Sequence, residues 1–143
     1  VAKRASTALK AGGHGDRARA LGGNFFGKRL PAELKTCDVF LLKHILHDWD
    51  DKRCIKILKN IAAVGKPGAK IAVVEHVQGV SGSGMERAKS MMDMNMMASC
   101  VGGAKERSFA EYAALFSAAG ITAQPRHVPM RDVVSIVEVE VSA

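Results

Sequence analysis

The residues best suited to acid–base chemistry lie in the segment 43–51, whose sequence is KHILHDWDD. The apolar run DVFLLKHIL at 38–46 overlaps its start, and such a run is typical of a strand buried on both faces. His47 and Asp48 therefore follow a buried strand, and open α/β sheets bind ligands outside the carboxyl ends of their strands. Alternation along the strand puts His44 on the opposite side from His47. An imidazole with a pKa of about 6.5 accepts protons at neutral pH, so His47 is a candidate general base.

The predicted elements alternate between strands and helices, which is typical of an α/β domain with a parallel sheet. Because no helix separates the last two strands, we expect a hairpin whose final strand is antiparallel and edge-like, giving a mixed sheet. Helices are predicted at 3–11, from Asp50 or Asp51 to Gly65, at 85–98, and from the capping box Ser108–Glu111 to Gly120. Strands are predicted at 17–21, 38–46, 69–77, 121–128 and 133–141, with a Gly/Ser loop at 79–84.

The composition fits one globular domain: 48% of the 143 residues are hydrophobic and 24% are charged. The net charge of +7 leaves a nucleic-acid-binding domain open as an alternative. However, the basic residues form no run of five or more and are not interleaved with aromatic residues, so we expect no nucleic-acid partner. No apolar run reaches the length of about 18 residues that a membrane span needs, so we expect no membrane partner. Cys37, Cys54 and Cys100 have no CxxC spacing, so we predict free thiols and no metal site.

The sequence LLKHILHDWDD at 41–51 resembles the signature of plant-type and bacterial small-molecule O-methyltransferases, which include the caffeate, hydroxyindole and hydroxyneurosporene enzymes. GGNFF at 22–26 resembles the family's adenine-binding turn, and VVEHV at 73–77 resembles the strand whose Glu supports the base. GGAKERS at 102–108 is similar to the family's GGKERT, with Ala104 inserted. The resemblance implies a partial Rossmann-like methyltransferase fold and S-adenosylmethionine as cofactor. The acceptor would be a hydroxyl of a small aromatic or a polyketide- or isoprenoid-like molecule.

The resemblance also implies roles for individual residues. His47 would be the general base, held in one tautomer by Glu75 and Glu106, because a catalytic imidazole needs an orienting carboxylate. We expect the methionines of the helix at 85–98 to be mainly core. Asn24 stands where the family has Asp, so its hydrogen bond to adenine would lack charge assistance. The implied cofactor contacts are Gly23, Asn24, Phe25 and Lys43, and the implied acceptor contacts are Asp48 and Met96.

The family's glycine-rich loop, its ribose-binding acid and its dimerisation domain have no counterpart in this sequence. We therefore expect residues 1–143 to be the C-terminal part of the catalytic domain, with the first strands missing. Such a chain alone should bind cofactor weakly, lack useful turnover and self-associate through an open sheet edge. The complete protein would be a cytoplasmic homodimer. A non-catalytic Rossmann-like module from a truncated or degraded homologue is the alternative.

Overall fold

The structure, a computed structural model, describes residues 2–27, 30–79, 86–100, 102–131 and 133–142. The helices are α1 (Ala2–Ala11), α2 (Asp51–Val64), α3 (Glu86–Ser99) and α4 (Phe109–Ala118), with short 3-10 helices at Ala32–Thr36 and Leu46–Asp48. The strands are β1 (Val39–Lys43), β2 (Lys70–Glu75), β3 (Arg126–Pro129) and β4 (Ser135–Glu140). None of these helices has the length and hydropathy of a membrane span in the described part of the chain.

The four strands form one mixed sheet in the order β1-β2-β4-β3. β1 and β2 are parallel, with Lys43 opposite Val74, so both strands end at the same edge of the sheet. β4 is antiparallel to β2 and to β3. The predicted α/β fold with a final antiparallel strand is thus confirmed. The prediction that this last strand lies at an edge of the sheet is wrong, because β4 lies between β2 and β3 and its Val137 and Val139 are buried.

Helix α2 forms because its start has a capping residue and one of its faces is apolar. Asp50 is the N-cap, and its side chain accepts a hydrogen bond from the backbone N–H of Arg53 at 2.7 Å. Cys54, Ile57, Leu58 and Ile61 follow helical spacing and are all buried. They belong to one core with the inward faces of β2 and β4 and with α4, including Ile71, Val73, Tyr112, Leu115, Phe116, Val137 and Val139.

Helix α4 begins with the predicted capping box. The Ser108 hydroxyl accepts from the Glu111 backbone N–H at 3.3 Å, and the Glu111 carboxylate accepts from the Ser108 N–H at 2.8 Å. An isolated bridge between Gln78 and Ser108 joins this turn to the chain just beyond β2. The helix therefore starts at the same edge of the sheet at which β1 and β2 end.

Some predicted elements differ from the structure. Residues 17–21 form turn and irregular structure rather than a strand, because they are mostly exposed and no described strand pairs with them. The strand predicted at 121–128 is confined to Arg126–Pro129, because Pro125 has no N–H for a sheet ladder. β1 is not buried on both faces: Val39 and Leu41 are 54% and 65% exposed on an edge strand. Apart from Gly79, the loop predicted at 79–84 lies outside the described residues.

Candidate active site

A sharp change of direction after β1 presents the histidine of the HDW segment. His44 has a φ of 51°, in the left-handed region, and its N–H donates to the Val74 carbonyl at 3.2 Å. The 3-10 helix Leu46–Asp48 follows, and it carries His47, which is only 7% exposed. The predicted strand continued to residue 46, which would put His44 and His47 on opposite sides. That expectation is wrong, because the turn at His44 brings the two ring centroids to 5.2 Å.

Glu75, the last residue of β2, lies fully buried beneath this turn. Its Oε1 accepts hydrogen bonds from the backbone N–H groups of Ile45 and Leu46, both at 3.0 Å. Its Oε2 lies 3.5 Å from Nδ1 of His47. Burial raises the pKa of Glu75 to about 7, although His47 and the Ile45 N–H act in the opposite direction. This carboxylate fixes the start of the 3-10 helix and faces the ring that the helix carries.

Glu106 approaches the same ring from the segment between α3 and α4. Its Oε1 lies 3.0 Å from Nδ1 of His47, and the residue is 4% exposed. The segment is held by two backbone contacts: the Glu106 N–H donates to Asp93 on α3 at 2.8 Å, and the Lys105 N–H donates to the His47 carbonyl at 3.0 Å. The structure thus places both predicted carboxylates beside His47, although they are distant from it in sequence.

The charge balance around His47 favours its protonated form. Burial alone lowers the pKa of His47, because it disfavours a cation. The hydrogen bond with Glu106 and the charges of Glu75, Glu106 and Asp48 outweigh burial and raise that pKa above 6.5. An imidazole in these surroundings is a stronger base than a free one, and the positive charge that it gains is stabilised by buried carboxylates.

The other nitrogen of His47 faces a more open side of the site. Nε2 lies 3.4 Å from Oδ1 of Asp48, whose side chain is 41% exposed. The Cys100 thiol donates to the same Asp48 oxygen at 3.5 Å. Nδ1 is thus engaged by buried carboxylates, whereas Nε2 is beside a residue that water can reach. A hydroxyl-bearing ligand would meet the ring on this Nε2 side.

Two residues that sequence reasoning missed hold this arrangement together. Arg107 is completely buried and makes hydrogen bonds to the carbonyls of Leu46 and Trp49 and to the carboxylate of Asp51, at 2.7 to 3.0 Å. Asp93 fixes the Glu106 backbone from α3. Arg107 stood within the KER motif, but only long-range packing shows that its guanidinium spans the turn. Asp93 had no sequence signal beyond its charge on a Met-rich helix.

The methionines of α3 differ in their exposure. Met96 is 8% exposed, whereas Met91 and Met94 are 63% and 70% exposed. The expectation that this group is mainly core is therefore wrong for Met91 and Met94, because no described element covers their side of the helix. Among the described contacts, none joins the Met96 side chain to His47. Met96 lies on α3, the helix that also carries Asp93, whose carboxylate accepts from the Glu106 N–H.

The turn at 22–27 carries three of the residues for which cofactor contacts are expected, Gly23, Asn24 and Phe25. The Asn24 side chain accepts from the Phe26 N–H at 2.9 Å, and the Asn60 amide on α2 donates to the carbonyls of Phe25 and Gly27 at 2.7 and 2.9 Å. Phe25 and Phe26 lie edge-on to the Trp49 ring, with centroids 6.2 and 4.8 Å away. A half-buried aromatic group with an amide beside it fits the adenine of a nucleoside cofactor. Gly23 is exposed in this turn, and Lys43 is exposed at the end of β1.

Comparison with known proteins identifies the family. The sequence model of one protein family, described as the O-methyltransferase domain, matches residues 1–122 of the chain. The chain belongs to this O-methyltransferase family. Members of the family use S-adenosylmethionine, and the resemblance that the sequence motifs indicated is confirmed.

Similar O-methyltransferases act in several biosynthetic settings. The phenazine O-methyltransferase PhzM of Lysobacter antibioticus is 37% identical over 138 residues, which are 96% of this chain and 38% of that protein. The mitomycin biosynthesis 6-O-methyltransferase of Streptomyces lavendulae is 35% identical over 122 residues, which are 85% of this chain and 32% of that protein. The chain spans 23% to 38% of the length of such curated relatives.

Solved O-methyltransferase structures share the fold. LaPhzM matches with a TM-score of 0.81 and 35% identity, covering 98% of this chain and 40% of that one. NcsB1 from neocarzinostatin biosynthesis was solved in complex with S-adenosylmethionine and 2-hydroxy-5-methyl naphthoic acid. It matches with a TM-score of 0.79 and 32% identity over 99% of this chain and 38% of that one. The chain therefore has the fold of these O-methyltransferase structures over nearly its whole length.

Proposed function

We propose that this chain supplies the general base of an S-adenosylmethionine-dependent O-methyltransferase that acts on a small molecule, and that the base is His47. The supporting observation is the asymmetry of its imidazole. Nδ1 is 3.0 Å from Glu106 and 3.5 Å from Glu75, whereas Nε2 faces the side of the ring with the half-exposed Asp48. A general base requires one nitrogen to be held and the other to be accessible.

The proposed chemistry begins at the acceptor hydroxyl. A phenol has a pKa of about 10, so at neutral pH its oxygen still carries the proton and is a weak nucleophile. Nε2 of His47 accepts this proton, and negative charge accumulates on the acceptor oxygen. Glu106 holds Nδ1–H and thereby fixes the tautomer, while the buried carboxylates stabilise the imidazolium that forms. S-adenosylmethionine, when bound, supplies the electrophilic methyl group.

The remaining site residues would position the two ligands. Phe25 and Asn24 would hold the adenine ring, with Gly23 allowing close approach and Lys43 lying near the cofactor. Oδ1 of Asn24 already accepts from the Phe26 N–H at 2.9 Å, so adenine would share that oxygen through its second lone pair. Asp48 would orient the acceptor hydroxyl beside Nε2, and Met96 would line the acceptor pocket. A flexible thioether suits planar ligands of different outline.

The acceptor is proposed to be a small aromatic or polyketide- or isoprenoid-like hydroxyl compound. Relatives are named for phenazine and mitomycin chemistry, and NcsB1 was solved with a naphthoic acid. We further propose that residues 1–143 are the C-terminal part of the catalytic domain of a cytoplasmic homodimer and that this part alone is inactive. The family matches support a methyltransferase, and the resemblance supports the finer statements.

Replacement of His47 tests the proposal. In the complete protein, His47→Ala should lower turnover by about 10² to 10⁴ while leaving S-adenosylmethionine binding nearly unchanged, because the base acts on the acceptor. His14→Ala is the matched control, since His14 is an exposed histidine near α1. Near-normal turnover of His47→Ala would contradict the role of the base. A complete protein that binds cofactor but methylates no hydroxyl compound would favour the non-catalytic module.

A further inference from the structure

Three histidines converge where β1 and β2 end. His44 follows β1, His47 lies in the 3-10 helix, and His76 follows β2. Each offers a ring nitrogen within 4.8 Å of those of the other two. The His44 ring lies 5.2 Å from that of His47 and 5.3 Å from that of His76, between centroids. The proposed methyl-transfer chemistry uses only one of these rings, so the other two require a separate explanation.

Two buried carboxylates border the same cluster. Nδ1 of His44 is 3.6 Å from Glu75 Oε2, and Nδ1 of His76 is 3.4 Å from Glu106 Oε1. His76 is only 6% exposed, and its Nδ1 makes no hydrogen bond. Oε2 of Glu75 and Oε2 of Glu106 are also buried without a hydrogen-bond partner. Buried polar atoms normally have partners, so three such atoms in one place indicate that a polar or charged group belongs there.

We propose that His44, His47 and His76 bind a divalent transition-metal ion of the zinc class. Imidazole nitrogens are preferred ligands of Zn²⁺, Co²⁺, Ni²⁺ and Cu²⁺, and Zn²⁺ sites with three protein ligands keep a fourth position open. Zn²⁺ binds a ring nitrogen at about 2.0 to 2.1 Å, so the three nitrogens, which lie within 4.8 Å of one another, would move closer together around the ion. Glu75 and Glu106 supply negative charge, either as a further ligand or as outer partners of the ring N–H groups.

The ion inhibits methyl transfer, and this part of the inference rests on the proposed function. A metal on Nε2 of His47 occupies the lone pair that would accept the proton. A metal on Nδ1 displaces the hydrogen bond with Glu106, and its charge makes the ring a weaker base. In both cases His47 cannot act as a general base while the ion is bound. The site therefore acts as an off-switch, which a chelator reverses.

A second group of ligands competes for the same position. His47, Glu75 and Glu106 also offer atoms within 4.8 Å of one another. An ion held there would have mostly oxygen ligands, which suit Mg²⁺ and Mn²⁺. The two arrangements differ in their need for His44 and His76. Three imidazoles favour the zinc class, so selectivity between metals distinguishes them.

The test measures metal binding directly, before and apart from activity. Zn²⁺ is titrated by calorimetry, and Co²⁺ is titrated by its visible absorption, into the metal-free complete protein. His44→Asn is the main variant, because Asn tolerates the φ of 51° at this position and the side chain is 36% exposed. His76→Gln is the second variant, with folding checked by circular dichroism. His14→Asn is the control, since it removes an exposed histidine outside the cluster.

We expect His44→Asn and His76→Gln each to weaken Zn²⁺ binding by about 10- to 100-fold or more, and His14→Asn to leave it unchanged. Mg²⁺ should not compete. Unchanged Zn²⁺ affinity in folded His44→Asn, or equal binding of Mg²⁺, would overturn the three-histidine site. If Zn²⁺ binds as expected but the chelated protein methylates no acceptor, the proposed function fails and the metal site stands. If the enzyme is active and Zn²⁺ does not bind, the metal site fails and the proposed function stands.

Discussion

The buried guanidinium of Arg107 should contribute more to stability than any exposed ion pair of this protein. It makes four hydrogen bonds: two to Asp51 and one each to the carbonyls of Leu46 and Trp49. These bonds join the 3-10 helix that carries His47 to the first turn of α2. Arg107→Met would preserve much of the side-chain length and remove all four bonds.

The cost follows from what each acceptor can do without the arginine. Asp51 is 58% exposed, so water can replace its bonds. The Leu46 carbonyl keeps the Trp49 backbone N–H at 3.2 Å and the Cys54 thiol at 3.2 Å, whereas the Trp49 carbonyl keeps, among the described contacts, the weak thiol donor of Cys54 at 3.4 Å. A buried acceptor that loses its partner costs about 1 to 3 kcal/mol, and the Trp49 carbonyl is the acceptor left with a thiol alone, so Arg107→Met should lower the free energy of unfolding by about 1 to 3 kcal/mol. The whole free energy of unfolding of a typical domain is only about 5 to 15 kcal/mol.

Urea unfolding followed by circular dichroism measures this loss. With a slope of about 2 kcal/mol per molar urea, the midpoint should fall by about 0.5 to 1.5 M. Arg53→Met is the matched control: its ion pair with Asp50 at 3.2 Å is 46% exposed on the arginine side and should contribute less than about 1 kcal/mol. A loss for Arg107→Met that is no larger than the loss for Arg53→Met would refute this reasoning.

Three further predictions concern pH and backbone geometry. Because the carboxylates around His47 raise its pKa above 6.5 in the free protein, kcat/KM of the complete enzyme should fall with decreasing pH along an acid limb whose midpoint lies above 6.5; a midpoint clearly below 6.5 would contradict the proposed role of His47. The capping and ion-pair contacts of Glu111 lower its pKa to about 2, so its stabilisation is complete above about pH 4.5 and is lost as pH falls towards 2. The free energy of unfolding of Glu111→Gln should therefore depend less on pH between about 2 and 4.5 than that of the unmodified protein. Near neutral pH the variant should be less stable by at most about 1 kcal/mol. Gly103→Ala should destabilise by about 2 kcal/mol or more, since φ is +97° and the new Cβ would lie 2.7 Å from that of Asp50; Gly102→Ala, which meets nothing within 4 Å, is the control in the same thermal melt.

Local signals in the sequence were sufficient for much of the fold. Helix α2 begins at its predicted cap and helix α4 at its predicted capping box, because both depend on residues within a few positions of each other. The strand predicted at 17–21 failed for the opposite reason. A short alternating segment becomes a strand only if another strand pairs with it, and sequence alternation contains no information about that partner.

The candidate site shows the same division. The place of His47 after a predicted buried strand was sufficient to select it as a candidate base. The resemblance to the family motifs predicted that Glu75 and Glu106 lie beside it. The proximity of His44 and His76 was not predictable, because it depends on the register of β1 against β2 and on the left-handed conformation of His44. Regular alternation along a strand is a poor guide at the residue where the strand ends.

The two carboxylate oxygens of Glu75 have different partners, and this has a consequence for genetic screens of this protein. One carboxylate oxygen binds the backbone N–H groups at the start of the 3-10 helix, and the other faces His47. A library that scores cellular abundance and methylation separately should therefore show Glu75 variants depleted in both scores. Asp48, which is 41% exposed, should be depleted only in methylation. Selection for a stable protein would thus keep Glu75 even in a lineage that no longer needs the reaction.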